Sequence, residues 1–472
     1  MSESKPKDRP PTSRLGRLAR LAGLAPRAIP FAVEGAKRAL GGARTEDEER
    51  ESRARIGAEV KKTAEAMLKT LGEMKGLPLK LGQMASYIDG LAPPGYEERF
   101  QHALKKLLDK APPLSGEAAA AQVLAELGAP PGEVFARWEA EPFAAASIGQ
   151  VHRARTHGGH DVAVKVQYPG IDKAIENDLK SVTLLEQMVS PITRKLHAKQ
   201  TLDELRTVFL SELDYSREAE MADVFRRINA EDPDVYVPRV HHSLTTRRVL
   251  TLEFVEGQSY AEFCETASQA AKNRAGTTIW RFTFRSMLRY GMLYADPHPG
   301  NYRFLPDGRV AFLDFGCVKE LPPEMVLGMK RYMRAAIDGD WAEFDRACVE
   351  VLGYDRDDPS WDLYRSYTME LMVPLCSDEP WQCSPEKARE HVQFLTRGLR
   401  QLVKDQGGIP SMPYVPRMPQ DFTFVNRLQW GLASVLAGLH TEAAFRPLIE
   451  PWVKGGLEPV PTGDRPRAIP DP

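Results

Sequence analysis

The spacing of apolar residues predicts helices before residue 130. Within residues 45–75 an apolar side chain recurs every three or four positions, at Ile56, Val60, Ala64, Met67, Leu71 and Met74. That period is typical of one face of a helix. Gly76-Leu77-Pro78 interrupts the pattern, and a second helical stretch runs to about Lys110. Over 115–128 a further helix is predicted, since Ser115 can cap its start and Gly128 can end it.

The pattern then changes to short strands. Ser147–Arg155 and Asp161–Gln167 flank His157-Gly158-Gly159-His160, which predicts a hairpin because glycine accepts the backbone angles of a tight turn. Helical sequence from about Ile171 to Asn229 separates this hairpin from two more predicted strands, Tyr236–His241 and Arg248–Phe254.

From Tyr260 onward the sequence is mostly helical. The exception is a predicted hairpin of Asn301–Leu305 and Arg309–Leu313, turned by Pro306-Asp307-Gly308. The residues from Gly455 to the end are rich in proline, and we expect them to be disordered.

Composition narrows the class of protein. The 472 residues suggest two to four structural units, and 42% apolar residues allow a large core. The net charge of -2 argues against a dedicated nucleic-acid-binding protein. The longest window without Asp, Glu, Lys or Arg, Leu428–Thr441, is shorter than the roughly 20 residues of a membrane span. Five cysteines without a CxxC pair fit reduced thiols in the cytoplasm.

Two neighbouring motifs suggest phosphate binding. Val162-Ala163-Val164-Lys165 matches the kinase strand whose lysine holds the α- and β-phosphates. A loop of small residues precedes it, and small side chains allow backbone N–H groups to approach phosphates closely. The predicted nucleotide-binding residues of this loop are Ala144, Ala145, Ala146, Ser147, Ile148, Gly149 and Gln150.

Two further motifs supply candidate catalytic and metal-binding groups. Asp296 and Asn301 have the D-x-x-x-x-N spacing of a kinase catalytic loop, in which the aspartate acts on an attacking hydroxyl and the asparagine ligates Mg²⁺. Asp314-Phe315-Gly316 supplies a second metal-binding carboxylate. All four motifs in this order indicate a kinase fold.

The helix predicted around Leu205–Ile228 offers carboxylates for Lys165. On one continuous helix, Glu212 and Asp214 point to nearly opposite sides, whereas Asp214 and Glu218 share a face. We therefore expect Glu218 to pair with Lys165, and Glu212 or Asp214 to face a different basic group.

The sequence resembles the UbiB/AarF/ADCK family of atypical, protein-kinase-like proteins. Lys80-Leu81-Gly82-Gln83 matches the family's KxGQ signature, Ala144–Gln150 its alanine-rich loop, and Glu212-Leu213-Asp214 its ExD motif. Tyr294–Asn301 matches its catalytic loop, except that Tyr294 stands where histidine is usual. The resemblance covers residues 45–320 well and is looser to about residue 454.

The resemblance implies an α+β, bilobal kinase-like fold with a small β-sheet N-lobe and a helical C-lobe. We expect five segments, which are a basic arm (1–44), a helical KxGQ extension (45–140), an N-lobe with the ExD helix (141–255), a C-lobe (256–454) and a disordered tail (455–472).

The resemblance also implies a function. The family binds ATP or ADP with Mg²⁺ and is linked to coenzyme Q and other isoprenoid lipids. Lys80 would reach into the active site against the ExD acids, so Lys80, Gln83, Glu212 and Asp214 are candidate regulatory residues. Lys165, Glu218, Lys80 and Asp296 are candidate catalytic residues, Asn301 and Asp314 candidate metal ligands, and Glu253 and Val255 of Leu252–Val255 candidate adenine contacts.

The sequence leaves alternatives open. No A-P-E motif follows Asp314-Phe315-Gly316, so ATPase or small-molecule kinase activity is favoured over protein phosphorylation. A nucleotide-regulated lipid chaperone is the alternative, and an aminoglycoside-type kinase is disfavoured because those kinases lack the KLGQ extension. Whether the chain forms a homodimer is also open.

The near-zero net charge divides unevenly along the chain. Residues 1–44 hold ten basic and three acidic residues, a net charge of +7, so the remainder carries -9. This arm is either a solvated tail or a contact to anionic lipid. We expect a cytoplasmic protein, which lies at the inner face of a membrane if the arm contacts anionic lipid.

Overall fold

The computed structural model describes residues 115–146, 148–180, 210–405 and 421–461. The basic arm, Lys80, Gln83 and Ser147 therefore lie outside the described residues. The first described helix, α1 (Gly116–Leu127), has the ends predicted for it. The Ser115 side chain accepts a hydrogen bond from the Ala118 N–H, and Gly128 ends the helix in the left-handed conformation at φ 80°.

A five-stranded antiparallel sheet forms the N-lobe, with β1 and β2 both paired to β3 and the remaining order β3-β4-β6. The predicted hairpin is confirmed as β3 and β4, and the strand predicted at Arg248–Phe254 is confirmed as β6. The strand bounds are β1 Arg137–Trp138, β2 Ala144–Ala145, β3 Gly149–Arg155, β4 Asp161–Gln167 and β6 Val249–Glu253.

Helices cover both faces of this sheet. Val164 of β4 belongs to a buried cluster with Val123 of α1 and Phe135, whereas Leu250 of β6 packs with Tyr215 and Ala219 on the other face. Because α1 shares the sheet's core and β1 pairs with β3, residues 115–138 belong to the N-lobe. The expected boundary of the extension at residue 140 is wrong for this segment.

The helix carrying the candidate acids is not continuous. Residues 210–212 are helical, the chain turns at Leu213, and α2 (Tyr215–Ile228) then begins. The Asp214 side chain caps α2 by accepting a hydrogen bond from the Ser216 N–H. The expectation that Glu212, Asp214 and Glu218 share one helix is therefore wrong.

The C-lobe is mainly helical, as predicted, and packs around one large apolar core that includes Phe282, Phe344 and Leu432. Its helices are α3 Tyr260–Thr266, α4 Gln269–Tyr290, α5 Pro323–Asp338, α6 Trp341–Leu352, α7 Trp361–Met372, α8 Pro385–Asp405, α9 Phe422–Gly438 and α10 Phe445–Lys454.

Short strands order the loops of the C-lobe. The predicted hairpin is confirmed as β8 (Tyr302–Phe304) and β9 (Val310–Phe312). The strand predicted at Tyr236–His241 is largely wrong, because β5 covers Val235–Tyr236 and pairs in parallel with β9. Two strand pairs were not predicted, and they are β7 (Met292–Tyr294) with β10 (Val318–Glu320) and β11 (Trp381–Gln382) with β12 (Glu442–Ala443).

Residues 455–461 form a strap along the C-lobe. The Lys330 Nζ donates to the carbonyl oxygens of Gly455 and Gly456, both at 3.0 Å. The Arg227 Nε, on α2, donates to the Pro461 carbonyl at 3.0 Å. The expectation of disorder from Gly455 is therefore wrong for these seven residues, while 462–472 lie outside the described part.

Two general features complete the fold. Within the described ranges, the length and apolar character needed to cross a membrane do not occur together in any helix. All five cysteines lie in the described ranges, none forms a disulfide there, and each is buried or half-buried.

Candidate active site

A cavity between the two lobes collects most of the predicted site residues. The sheet and the β2–β3 turn supply one wall, α2 supplies a second, and the catalytic loops of the C-lobe supply the third. The lining residues are Ala145, Ala146, Ile148, Lys165, Glu212, Glu218, Asp296, His298, Gly300, Asn301, Asp314 and Gly316.

Lys165 forms the centre of a charged triad. It pairs with Leu250 across the sheet, and the alternation of the strand turns its side chain toward α2. Its Nζ lies 2.9 Å from Glu218 Oε1 and 3.1 Å from Asp314 Oδ2. The expected Lys165–Glu218 contact is thus present, and the Asp314 carboxylate joins it.

The triad has unusual protonation chemistry. Burial lowers the pKa of Lys165, but the charges of Asp314 and Glu218 outweigh burial and raise it well above its usual value. Burial raises the pKa of Glu218 to about 7 against the opposing effect of Lys165, with Asp314 adding to the rise. Lys165 therefore stays an ammonium group, and Glu218 is the carboxyl that titrates near neutrality.

Local hydrogen bonds fix the two C-lobe loops. The Asn301 Nδ2 donates to the Asp296 carbonyl at 3.0 Å, and the Gly300 N–H donates to His298 Nδ1 at 2.9 Å. The Gly316 N–H donates to Asp314 Oδ1 at 3.0 Å. These bonds hold the side chains of Asn301 and Asp314 toward the same cavity.

Arg427, on α9, is a site residue that sequence reasoning missed. Its Nη2 lies 2.7 Å from Asp296 Oδ1, and the guanidinium is largely buried. Burial lowers the pKa of Arg427, but the charges of Asp296 and Glu212 help to raise it above its usual value. The one feature of the sequence that could have identified Arg427 is its position directly before the apolar window without charged residues, which begins at Leu428.

An aromatic cluster braces the catalytic loops against α2. The ring centroid of Phe225, on α2, lies 5.3 Å from that of Phe315 and 5.9 Å from that of Tyr294. Phe315 and Tyr294 are 5.8 Å apart. Tyr294, where the resembled family usually has histidine, is thus a buried packing residue that connects the catalytic loop to the helix of Glu218.

The small-residue loop is a tight turn between β2 and β3. The Ala146 N–H donates to the Gly149 carbonyl at 2.8 Å, and Ala145 and Ile148 line the cavity. A Cβ on Gly149 would lie 2.5 Å from the Val166 carbonyl oxygen, so only glycine fits there. Ala144 pairs with Val151 in the sheet.

Gln150 does not join the other loop residues at the cavity. Its side chain is buried, and its Nε2 lies 3.0 Å from the His152 Nε2. Val151 pairs with Lys165 and lies on the same face of the sheet. Its neighbours in β3, Gln150 and His152, therefore lie on the opposite face, which α1 covers. The Gln150 side chain therefore faces away from the cavity, and a nucleotide contact at this residue stays a prediction.

Of the remaining predicted site residues, some line the cavity and others do not. Glu212 lines the cavity, whereas Asp214 is the cap of α2. Neither Glu253 nor Val255 is among the residues lining this cavity, and the Glu253 side chain accepts hydrogen bonds from Tyr236 and the Arg239 N–H. Lys80 and Gln83 lie outside the described residues, so their approach to Glu212 stays a prediction.

The oxygen donors present suit magnesium bound with a nucleotide. Among the described residues, no group of three or more His, Cys, Asp or Glu side chains could hold a metal by itself. Mg²⁺ typically takes one or two protein ligands and completes its shell with water and phosphate oxygens. Asn301 and Asp314 at one cavity, with the small-residue turn opposite them, fit that requirement.

Comparisons with known proteins agree with this geometry. The model of the ABC1 atypical kinase-like domain matches residues 106–348. ACTIVITY OF BC1 COMPLEX KINASE 3 of Arabidopsis thaliana is 39% identical over 52% of this chain and 35% of its own length. Atypical kinase COQ8B of Rattus norvegicus is 32% identical over 59% of this chain and 52% of its own length.

A solved structure is also similar. Rv3197 of Mycobacterium tuberculosis, in a complex with erythromycin, has a TM-score of 0.58 and 25% identity, covering 86% of this chain and 100% of that chain. The chain spans 35% to 61% of the length of the first four curated relatives that it matches.

Proposed function

This chain belongs to the ABC1 atypical kinase-like family, which includes UbiB/ADCK proteins, and from that premise we propose that it binds a magnesium–adenine nucleotide and hydrolyses or transfers the terminal phosphoryl group. One observation carries the proposal, which is the convergence of Lys165, Glu218, Asp296, Asn301 and Asp314 on one cavity. The bound magnesium nucleotide would supply the phosphoryl group and neutralise part of its charge.

Each side chain at the cavity has a different role, which follows from its chemistry. The Lys165 ammonium binds phosphate oxygens, and Glu218 holds its position through the 2.9 Å ion pair. Backbone N–H groups around Ala145–Gly149 approach the phosphates because the side chains there are small. Asn301 and Asp314 would hold the metal. Leu252–Val255 does not line this cavity, so an adenine contact there requires a nucleotide that extends beyond the lining residues.

Asp296 acts at the attacking oxygen. Its Oδ1 accepts a hydrogen bond from Arg427, and its carboxylate can accept the proton of a hydroxyl group or a water molecule. Only residues 317–322 separate Gly316 from α5, so no long activation segment is available to order a peptide. This supports water or a small molecule as the acceptor over a protein.

The COQ8B relatives link the family to ubiquinone biosynthesis. We therefore propose an isoprenoid-like lipid as the effector or acceptor. The second candidate function is a nucleotide-regulated lipid carrier, which an apolar cavity in the C-lobe favours. Steady-state phosphate release with and without an isoprenoid alcohol separates them, since stimulated turnover supports the enzyme and lipid binding without turnover supports the carrier.

The nucleotide site is tested by Asp314→Asn. We expect this change to abolish the rise in melting temperature that Mg-ATP gives the wild type, because a metal-binding carboxylate is lost. Asp307→Asn, in the exposed turn between β8 and β9, is the matched control and keeps the rise. Equal stabilisation of Asp314→Asn and wild type by Mg-ATP would refute the assignment.

Membrane contact through residues 1–44 also stays a proposal. Each basic residue near an anionic surface contributes about 1 kcal/mol, so a net charge of +7 is sufficient for peripheral binding. Co-sedimentation with phosphatidylserine vesicles is expected for the full chain and not for one lacking residues 1–44.

A further inference from the structure

The C-lobe contains a second cavity that shares no lining residue with the nucleotide cavity. Helices α4, α5, α8 and α9 surround it, together with the end of α7 and the segment that follows α7. It encloses about 120 Å³. A water-sized group needs about 10–15 Å³ of such space, so a chain of about ten heavy atoms fits.

The walls are apolar and adaptable. Four methionines line the cavity, beside leucine and aromatic side chains, and the thioether side chain adjusts to ligands of irregular shape. These methionines are Met287, Met329, Met333 and Met372. Such walls favour a hydrocarbon ligand over a polar one.

Two buried polar atoms at this cavity have no hydrogen-bond partner among the residues that the structure describes. They are the Trp280 Nε1, which is a donor, and the Gln429 Oε1, which is an acceptor. A buried polar group without a partner is unfavourable, so a ligand that satisfied these atoms would gain affinity. A hydroxyl group has both capacities, since it accepts from an indole N–H and donates to an amide oxygen.

The charged residue at the rim is already engaged. The Lys387 Nζ lies 3.7 Å from the ring centroid of Trp381 and donates to the Gln382 carbonyl at 3.0 Å. His391 also lines the cavity, and burial lowers its pKa, which favours the neutral imidazole. These contacts favour a neutral ligand over a carboxylate or a phosphate.

We propose that this cavity is a binding site for a neutral hydrocarbon chain of about ten heavy atoms that carries a hydroxyl group, with the hydroxyl donating to Gln429 Oε1. The site rests on the cavity and its two unpartnered atoms, and it does not depend on the proposed phosphoryl transfer. The hydroxyl group, rather than apolar burial alone, distinguishes this ligand from other hydrocarbons.

The test uses two ligands of equal heavy-atom content, 1-octanol and 1-methoxyheptane, and the full chain without nucleotide. Isothermal titration calorimetry is expected to show saturable binding of 1-octanol, about tenfold tighter than that of the ether, because only the alcohol can donate to Gln429 Oε1. Gln429→Leu is expected to weaken 1-octanol binding about tenfold and to leave ether binding unchanged.

A second variant tests the location without relying on Gln429. Ala433→Phe fills the cavity from α9 and is expected to abolish binding of both ligands, while Ala270→Phe, on the exposed start of α4, leaves binding intact. Absence of saturable 1-octanol binding, equal affinity for both ligands, or unchanged binding by folded Ala433→Phe overturns the proposal. If Ala433→Phe does not fold, the Gln429→Leu comparison decides. Since no nucleotide is present, failure here is distinct from failure of Mg-ATP to bind.

Discussion

At the scale of single residues, two carboxylates compete for one ammonium group. Glu218 Oε1 and Asp314 Oδ2 both lie within 3.1 Å of the Lys165 Nζ, and Glu218 is the more deeply buried of the two acids. Charge is therefore not balanced within the triad. With both carboxylates ionised, the acids carry one more negative charge than Lys165 balances, so the triad is itself suited to receive a cation at Asp314.

The raised pKa of Glu218 has a consequence for stability. Its value of about 7 in the folded protein exceeds the ordinary 4.5. Between these pH values the folded state holds a proton that the unfolded state has lost, so this group's contribution to the free energy of unfolding falls as pH rises. We expect the melting temperature of the wild type to fall more between pH 5 and pH 8 than that of Glu218→Gln.

Glu220→Gln is the control for that experiment, because Glu220 is exposed on the same helix. It is expected to follow the wild-type pH profile. Parallel profiles for Glu218→Gln and wild type would contradict the assignment of the titrating group.

Gly149 shows how one missing side chain keeps the turn beside the cavity in place. A Cβ there would lie 2.5 Å from the Val166 carbonyl oxygen and 2.8 Å from the Tyr215 hydroxyl. We expect Gly149→Ala to destabilise the protein by about 1–3 kcal/mol in urea unfolding, since backbone must move. Gly132→Ala, where a Cβ has no neighbour within 4 Å, is the control, and equal losses would contradict the steric explanation.

At the scale of elements, α2 connects the sheet, the metal loop and the catalytic loop. Its first turn carries Glu218, and its last turn carries Phe225 and Arg227, of which Arg227 donates a hydrogen bond to the strap. The sequence predicted the helix and its pairing with Lys165 from local period and spacing. It missed the break at Leu213, because the acidic residues on either side fit a continuous helix equally well.

Phe225 is the residue through which α2 contacts both loops. It is fully buried against Phe315 and Tyr294. We expect Phe225→Ala to lower the free energy of unfolding by about 3–5 kcal/mol and to weaken stabilisation by Mg-ATP. Phe394→Ala, at a side chain 39% exposed, is the control. Undiminished stabilisation of a folded Phe225→Ala variant by Mg-ATP would show that the cluster does not position the metal loop.

At the scale of the whole molecule, sequence reasoning succeeded where the information is local. Caps at Ser115 and Gly128, both hairpins and the order of the motifs follow from neighbouring residues. Arg427 pairs with Asp296 across 131 positions, and β5 pairs with β9 from a distant part of the chain. Such contacts depend on how the lobes pack, which no local pattern specifies.

The strap gives a test at this scale. Lys330 is 4% exposed and bonds two strap carbonyls, so a chain ending at residue 454 leaves a buried ammonium group without these partners. We expect that chain to melt several degrees lower than the full chain. Lys330→Met should then cost less stability in the shortened chain than in the full one, and additive losses would contradict a strap that acts through Lys330.

The reactivity of the cysteine thiols can report local unfolding of the regions that surround them. Cys317 follows the metal loop, Cys348 lies in the C-lobe core and Cys383 lines the apolar cavity, and burial raises the pKa of Cys348 and Cys383 to about 12. Thiol alkylation needs an exposed thiolate, so the buried Cys317 and Cys348 react only when their surroundings open, whereas the half-buried Cys383 reports access to the apolar cavity. Timed alkylation with peptide-level mass spectrometry would therefore compare these three regions in one unmodified chain.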